Sequence, residues 1–191
     1  MPSNGQITAL LQRYKAGDEE ALESIVPIMY DELYEVARQH MQREFRKGHT
    51  LSATALVNEA YLKLARQHDL DASHRCDFMA IASRTMRNIL VDHARSKKRL
   101  KRGAGQAALP LDEAAFQLTD QEASEVLELD AAIDRLAALN ERASEVVQFR
   151  FYGGLTVEET AEVMNISERS VQRAWTVAKA WLRKEVSQHI G

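Results

Sequence analysis

Glu168, Arg169, Ser170, Gln172, Arg173, Thr176 and Lys179 carry the clearest chemical purpose in the sequence. They mix long cations with amide and hydroxyl groups, the set that binds phosphate oxygens and reads base edges in a DNA major groove. Their common outward direction follows from the residues between them. Val171, Trp175, Ala178 and Leu182 recur at i, i+4, i+7 and i+11 and would face inward, with Ser167 as the helix cap. A shorter helix is expected just before it. Thr156 followed by Glu159 is a capping-box start, Val157, Thr160, Ala161 and Met164 share one face, and Asn165 and Ile166 make the turn. Residues 156–182 therefore predict a helix-turn-helix. An ordinary helical hairpin with a solvated face would show the same periodicity.

Composition narrows the fold. At 191 residues, 45% hydrophobic and 28% charged, the chain can build one or two small cores. Three Pro and eight Gly leave little room for sheet turns, and helical spacing recurs without strand-like alternation, so an all-α protein is expected. The single cysteine, Cys76, excludes an internal disulfide and fits a reducing compartment. No apolar run approaches the roughly 20 residues of a spanning helix, so no membrane insertion is expected. Residues 1–4 begin no signal peptide. A cytoplasmic location is the expectation.

The formal net charge of −3 conceals a segregation. Arg95, Lys97, Lys98, Arg99, Lys101 and Arg102 crowd the end of one helical pattern, whereas no Lys or Arg lies between Gly103 and Asp134. That stretch carries Asp112, Glu113, Asp120, Glu122, Glu125, Glu128 and Asp130, and Gly103, Gly105 and Pro110 interrupt helix there. Two small helical domains joined by a flexible linker are expected: residues 5–102, an acidic linker at 103–128, and 129–188.

Within the first domain, Ile7, Leu10, Leu11 and Tyr14 form an amphipathic start, and a long helix is expected from 19 to about 46, bent at Pro27. A helix over 53–67 would place Ala53, Leu56, Val57, Ala60 and Leu64 on one face. The last, from 78 to 102, would turn Phe78, Ile81, Ala82, Thr85, Ile89 and Asp92 to one side. Arg84, Arg87, Asn88, Arg95 and Lys98 would line the other.

LVNEAYLKLAR at 56–66, FMAIASRTMRNILVDHARSKKR at 78–99, AIDRL at 132–136 and the helix-turn-helix together resemble a bacterial sigma factor of the extracytoplasmic-function type. The resemblance spans most of the chain, in order and at the right spacing. It implies sigma region two in the first domain and sigma region four in the second, with core RNA polymerase and promoter DNA as partners. It implies no catalytic residue and no cofactor, because bond formation belongs to the polymerase.

Carried onto this chain, the resemblance makes the 53–67 helix the surface that docks on polymerase, through Leu56, Asn58, Glu59, Tyr61, Leu62 and Lys63. The 78–102 helix corresponds to the one that melts the minus-ten element, and the polar segment 68–77 to the loop that captures a flipped base. Arg84, Arg87, Asn88, Arg95, Lys97, Lys98, Arg99, Lys101 and Arg102 would meet the separated strand, the cations neutralising its phosphates. A solvated helix end favoured by the dipole is the alternative for 97–102. The set from Glu168 to Lys179 would read the upstream, minus-thirty-five element.

Two departures from the family pattern stand out. Gln172 and Ala174 occupy positions where many relatives carry Lys or Arg, and Trp175 replaces a Leu, so promoter sequence does not transfer. Residues before the docking motif are usually acidic, but here they read Ser52-Ala53-Thr54-Ala55. This chain thereby resembles the subgroup linked to serine/threonine kinases. A phosphate on Thr54, or on Ser52, would restore about −2 of charge near a helix start. Ser52 could equally be a plain helix cap. The sequence neither shows nor excludes an anti-sigma factor.

Other chemistries find little footing. The six His form no metal-ligand spacing with Cys76, and no Gly-rich phosphate loop or nucleophile motif occurs. The competing function is a free-standing helix-turn-helix transcriptional regulator, which explains residues 156–182 and leaves the other motifs unused.

Overall fold

The computed structural model describes residues 4–18, 20–44, 50–66, 71–101 and 118–189, with side chains except at 4, 26, 39–44, 50–52, 100–101 and 187–189. All regular structure among them is helical. In the first half, α1 (Asn4–Lys15) buries Ile7 and Leu11, and α2 (Glu20–Glu44) buries Ile25, Met29, Leu33 and Ala37 at four-residue steps. Pro27 lies inside α2 on its exposed side. Glu23, four residues earlier, is exposed as well, and the helix runs on through Pro27.

The next two helices both begin earlier than the sequence suggests. α3 (Thr50–Ala65) buries the expected Ala53, Leu56, Val57, Ala60 and Leu64. α4 (Arg75–Lys101) follows a short loop fixed by Asp77, whose Oδ2 accepts from the Ser73 and His74 backbone N–H groups at 2.9 Å each. This helix is the centre of the fold. Elements pack around it on several sides, so its buried arc widens to Phe78, Met79, Ala82, Met86, Ile89, Leu90 and Ala94. Thr85 is buried and Ile81 half-buried. Asp92 is a correction: the inward arc passes through Leu90 and Ala94 instead and leaves the carboxylate hydrated, 3.9 Å from Lys63 Nζ.

The second half starts with α5 (Asp120–Leu139), opened by a capping box in which Thr119 Oγ1 accepts from the Glu122 N–H (3.2 Å) and Glu122 Oε2 accepts from the Thr119 N–H (2.6 Å). Its first nine residues, 120–128, fall in the stretch expected as linker, and 103–117 lie outside the described residues. Asn140 then caps α6 (Glu141–Val147), accepting from the Ala143 N–H at 3.0 Å, and a wider π-helical turn follows over Gln148–Tyr152. Last come α7 (Val157–Met164) and α8 (Glu168–His189).

One apolar cluster runs from Ile7 and Leu33 through Leu56, Phe78 and Met86 to Ile133, Leu136, Phe149, Leu155 and Ala178. The two halves are thus packed together along α4. A smaller cluster of Val146, Ala161 and Val171 supports the helix-turn-helix. The turn before α7 seats closely: at Gly153 a Cβ would meet Phe149 O at 2.6 Å and Ser83 Cβ at 2.9 Å. Gly154 has φ +64°, and a Cβ there would meet Val36 Cγ2 at 2.7 Å. Only a residue without a side chain fits both. Among the described residues no helix is long and apolar enough to cross a membrane.

Candidate DNA and polymerase surfaces

The helix-turn-helix forms as its local signals require. Thr156 Oγ1 accepts from the Glu159 N–H at 3.1 Å and Glu159 Oε2 from the Thr156 N–H at 2.8 Å; α7 then ends on Asn165, left-handed at φ 50°. Ser167 Oγ accepts from the Ser170 N–H at 3.3 Å and starts α8. Val171 and Ala178 are fully buried, while Trp175 and Leu182 are half-buried. Outside stand Glu168, Arg169, Gln172, Arg173, Thr176 and Lys179, all exposed. Ser170 is half-buried and tied to Ser167, and Thr176 Oγ1 donates to the Gln172 carbonyl at 2.9 Å.

Trp175 explains part of its own departure from Leu. Its ring takes the Arg150 guanidinium at 5.1 Å and the Lys179 ammonium at 5.3 Å, so one aromatic positions two cations beside the outer row. Arg150 comes from the π-helical turn, and its Nε and Nη1 are buried without a hydrogen-bond partner among the described residues. Burial lowers its pKa, with Glu158 opposing. Sequence reasoning missed it, because nothing in QFRFY announces which side faces α8.

The basic face of α4 is only partly open. Arg84, Asn88, Arg95 and Arg99 are exposed, with Arg84 over the Phe149 ring at 5.2 Å and Arg99 bonded to Ser96. Lys97 is half-buried, and Lys98 bonds Ser124 on α5. Arg87 is the most enclosed: it donates to Asp130 Oδ1 at 2.7 and 2.9 Å, to Asp134 Oδ1 at 2.7 Å and to Gln148 Oε1 at 3.2 Å. Burial works against its charge, but those carboxylates outweigh it and its pKa is raised. The Lys101 side chain and Arg102 lie outside the described residues.

On α3 the candidates separate by exposure. Leu62 is 51% exposed, a large apolar side chain left in water, and Asn58 stands exposed one turn before it. Tyr61 is half-buried. Leu56 is a correction: it is fully buried in the core, so a partner could reach it only by opening α3. Glu59 and Lys63 tie α3 to α4. His93 Nε2 lies 2.7 Å from Glu59 Oε2, and Lys63 Nζ lies 3.4 Å from Glu59 Oε1. The His93 hydrogen bond is the chief cause of the lowered Glu59 pKa.

The helix start of α3 needs a second correction. It begins at Thr50, so half-buried Thr54 lies beyond the first four residues, whose N–H groups have no helical partner. A phosphate there would meet a partner's cations rather than this helix's own terminus. The Ser52 side chain lies outside the described ones. No group of three His, Cys, Asp or Glu among the described residues is placed to hold a metal ion.

Described residues whose regular structure is all helical, with a helix-turn-helix at one end and a basic helix at the centre, agree with the comparison to protein families. The model described as ECF sigma factor matches residues 4–188, and the chain belongs to that family. It is similar to the ECF RNA polymerase sigma factor BldN of Streptomyces coelicolor, 27% identical over 171 residues, covering 88% of this chain. The chain spans about three-fifths of that relative, whose alignment covers 61% of its length.

Proposed function

We propose that this protein is an alternative sigma factor, which binds core RNA polymerase and directs it to particular promoters. The observation that carries the reading is the coexistence, in a chain matched over 4–188 by the sigma family, of an exposed polar and cationic row on α8 with exposed Leu62 and Asn58 on α3. A free-standing regulator needs only the first surface. In this reading residues 5–102 dock polymerase and open the minus-ten element, and 129–188 bind the upstream element. α8 reads bases with Arg169, Gln172 and Arg173, while Lys179 holds phosphate. The polymerase supplies the chemistry.

The neutral segment Ser52-Ala53-Thr54-Ala55 supports a finer reading, in which phosphorylation of Thr54 by a serine/threonine kinase gates docking. A phosphate would add charge-assisted acceptors for an Arg or Lys on polymerase. The test is core-polymerase affinity of the unmodified chain, the phosphorylated chain and Thr54→Ala. Tight binding by the phosphorylated form and weak binding by the other two is expected. Equal binding by all three removes the gate and leaves a sigma factor under another control, whereas no binding by any form contradicts the docking itself.

A further inference from the structure

We propose that the cleft between α2, the first turns of α4 and the turn into α7 is a binding site for a small organic cation, a molecule with an apolar body and a protonated amine head. No residue of the outer row on α8 or of the exposed face of α3 takes part. The site therefore adds a ligand beyond the DNA and polymerase of the proposed function.

The cleft holds about 490 Å³, a size that accommodates a small molecule. One wall is a face of α2. Ile28, Glu32 and Glu35 follow one another at i, i+4 and i+7, beside the buried stripe of Ile25, Met29 and Leu33, and so turn away from the first core toward the second half. The facing wall is Leu155 with the backbone of Gly153 and Gly154, and Met79 of α4 completes the lining. Met79 and Leu155 are 3% and 4% exposed, whereas Asp31 and Glu35 stand in water. The floor is therefore apolar and the rim acidic.

Charge decides which molecule fits. The lining sets the carboxylates of Asp31, Glu32, Glu35 and Glu159 against one guanidinium, that of Arg75. This guanidinium is already committed: it donates to Glu32 on α2, with Nε 3.0 Å from Oε2, and to Glu159 on α7. Burial opposes its charge, but the two carboxylates outweigh burial and keep it a cation. Glu35 leans on Arg38 in an exposed pair that water screens, and the Asp31 carboxylate has no hydrogen-bond or ion-pair partner among the described residues. Asp31 and Glu35 stand one turn apart on α2, and like charges so spaced repel. An ammonium at the mouth relieves that repulsion while the apolar body attached to it covers Ile28, Met79 and Leu155. A neutral molecule gains only the floor, and an anion meets carboxylates with no uncommitted cation in the lining.

The test is titration of the full-length protein, its methionine methyl groups isotope-labelled for NMR, with probes that share one body: phenylbutylamine, phenylbutanol and phenylbutyrate. Met79→Leu identifies the Met79 resonance. The amine should bind one to one at neutral pH, shift that resonance and bind about tenfold more tightly than the alcohol, while the carboxylate should not bind. Asp31→Asn/Glu35→Gln should lower the amine affinity about fivefold and leave the alcohol affinity as it is. Glu20→Gln/Glu23→Gln, with the same change of net charge at the start of α2 and outside the cleft, should change neither. An amine that fails to bind, binds no better than the alcohol or leaves the Met79 resonance unmoved would overturn the site. So would an Asp31→Asn/Glu35→Gln protein that holds the amine as tightly as the native chain. Should that variant fail to fold, the probes on the native chain decide.

Discussion

Arg169 and Arg173 stand one turn apart on α8, both exposed, with the fully buried Val171 between them fixing the direction in which they point. Each has the planar fork that pairs with guanine O6 and N7, and such a contact discriminates by about 1–3 kcal/mol. Replacing either with Ala should therefore weaken upstream promoter binding by that amount and relax sequence preference; Lys179→Ala should lower affinity evenly across sequences. Footprinting of the polymerase complex checks both, and unchanged upstream protection by Arg169→Ala/Arg173→Ala would remove α8 from the DNA interface. On α3, burial separates two leucines that the sequence motif presents as equals. Leu62→Ala, at a 51% exposed position, should weaken polymerase binding while moving thermal stability by less than about 0.5 kcal/mol. Leu56→Ala should instead destabilise the fold by about 2–5 kcal/mol, because it empties a fully buried site. Calorimetry beside a polymerase-binding assay tells the two roles apart.

At the scale of elements, the tight turn between the π-helical turn and α7 does more than connect. Gly154 combines φ +64° with Val36 Cγ2 at 2.7 Å from where a Cβ would stand, so Gly154→Ala must strain the backbone and push the turn off α2. The left-handed conformation alone costs about 1–2 kcal/mol for a residue with a Cβ. A loss of at least that size in chemical denaturation is expected, and a neutral substitution would mean that the turn relaxes freely. The same elements show what the sequence makes legible. The capping box at Thr156 and Glu159 and the inward spacing of Val171 and Ala178 identify α7 and α8 from local pattern, and both form as expected. The identical signature at Thr119 and Glu122 starts α5, yet the acidic composition around it reads as linker. Composition misleads there because Glu122 closes the cap and, further along the same helix, Asp130 and Asp134 meet Arg87 of α4, 43 and 47 residues away in sequence. The contact of Arg75 with Glu32 and Glu159 is illegible in the sequence for the same reason: only the fold brings the three together.

For the whole molecule, segregation of charge matters more than the net −3. The cations of α4 and α8 lie on two separate helices, which in the proposed reading touch two stretches of DNA. The exposed apolar Leu62 on α3 leaves a third surface for protein. The central claim is that these surfaces convert a polymerase that starts anywhere into one that starts at chosen sites. The most direct measurement is in vitro transcription with purified core RNA polymerase and genomic DNA, with the protein supplied unmodified and phosphorylated at Thr54. Discrete transcripts that appear only when this chain is added, and that disappear with Arg169→Ala/Arg173→Ala, are the predicted result. A chain that binds DNA on its own but gives core polymerase no specific starts in either form would contradict the assignment and leave a free-standing helix-turn-helix regulator.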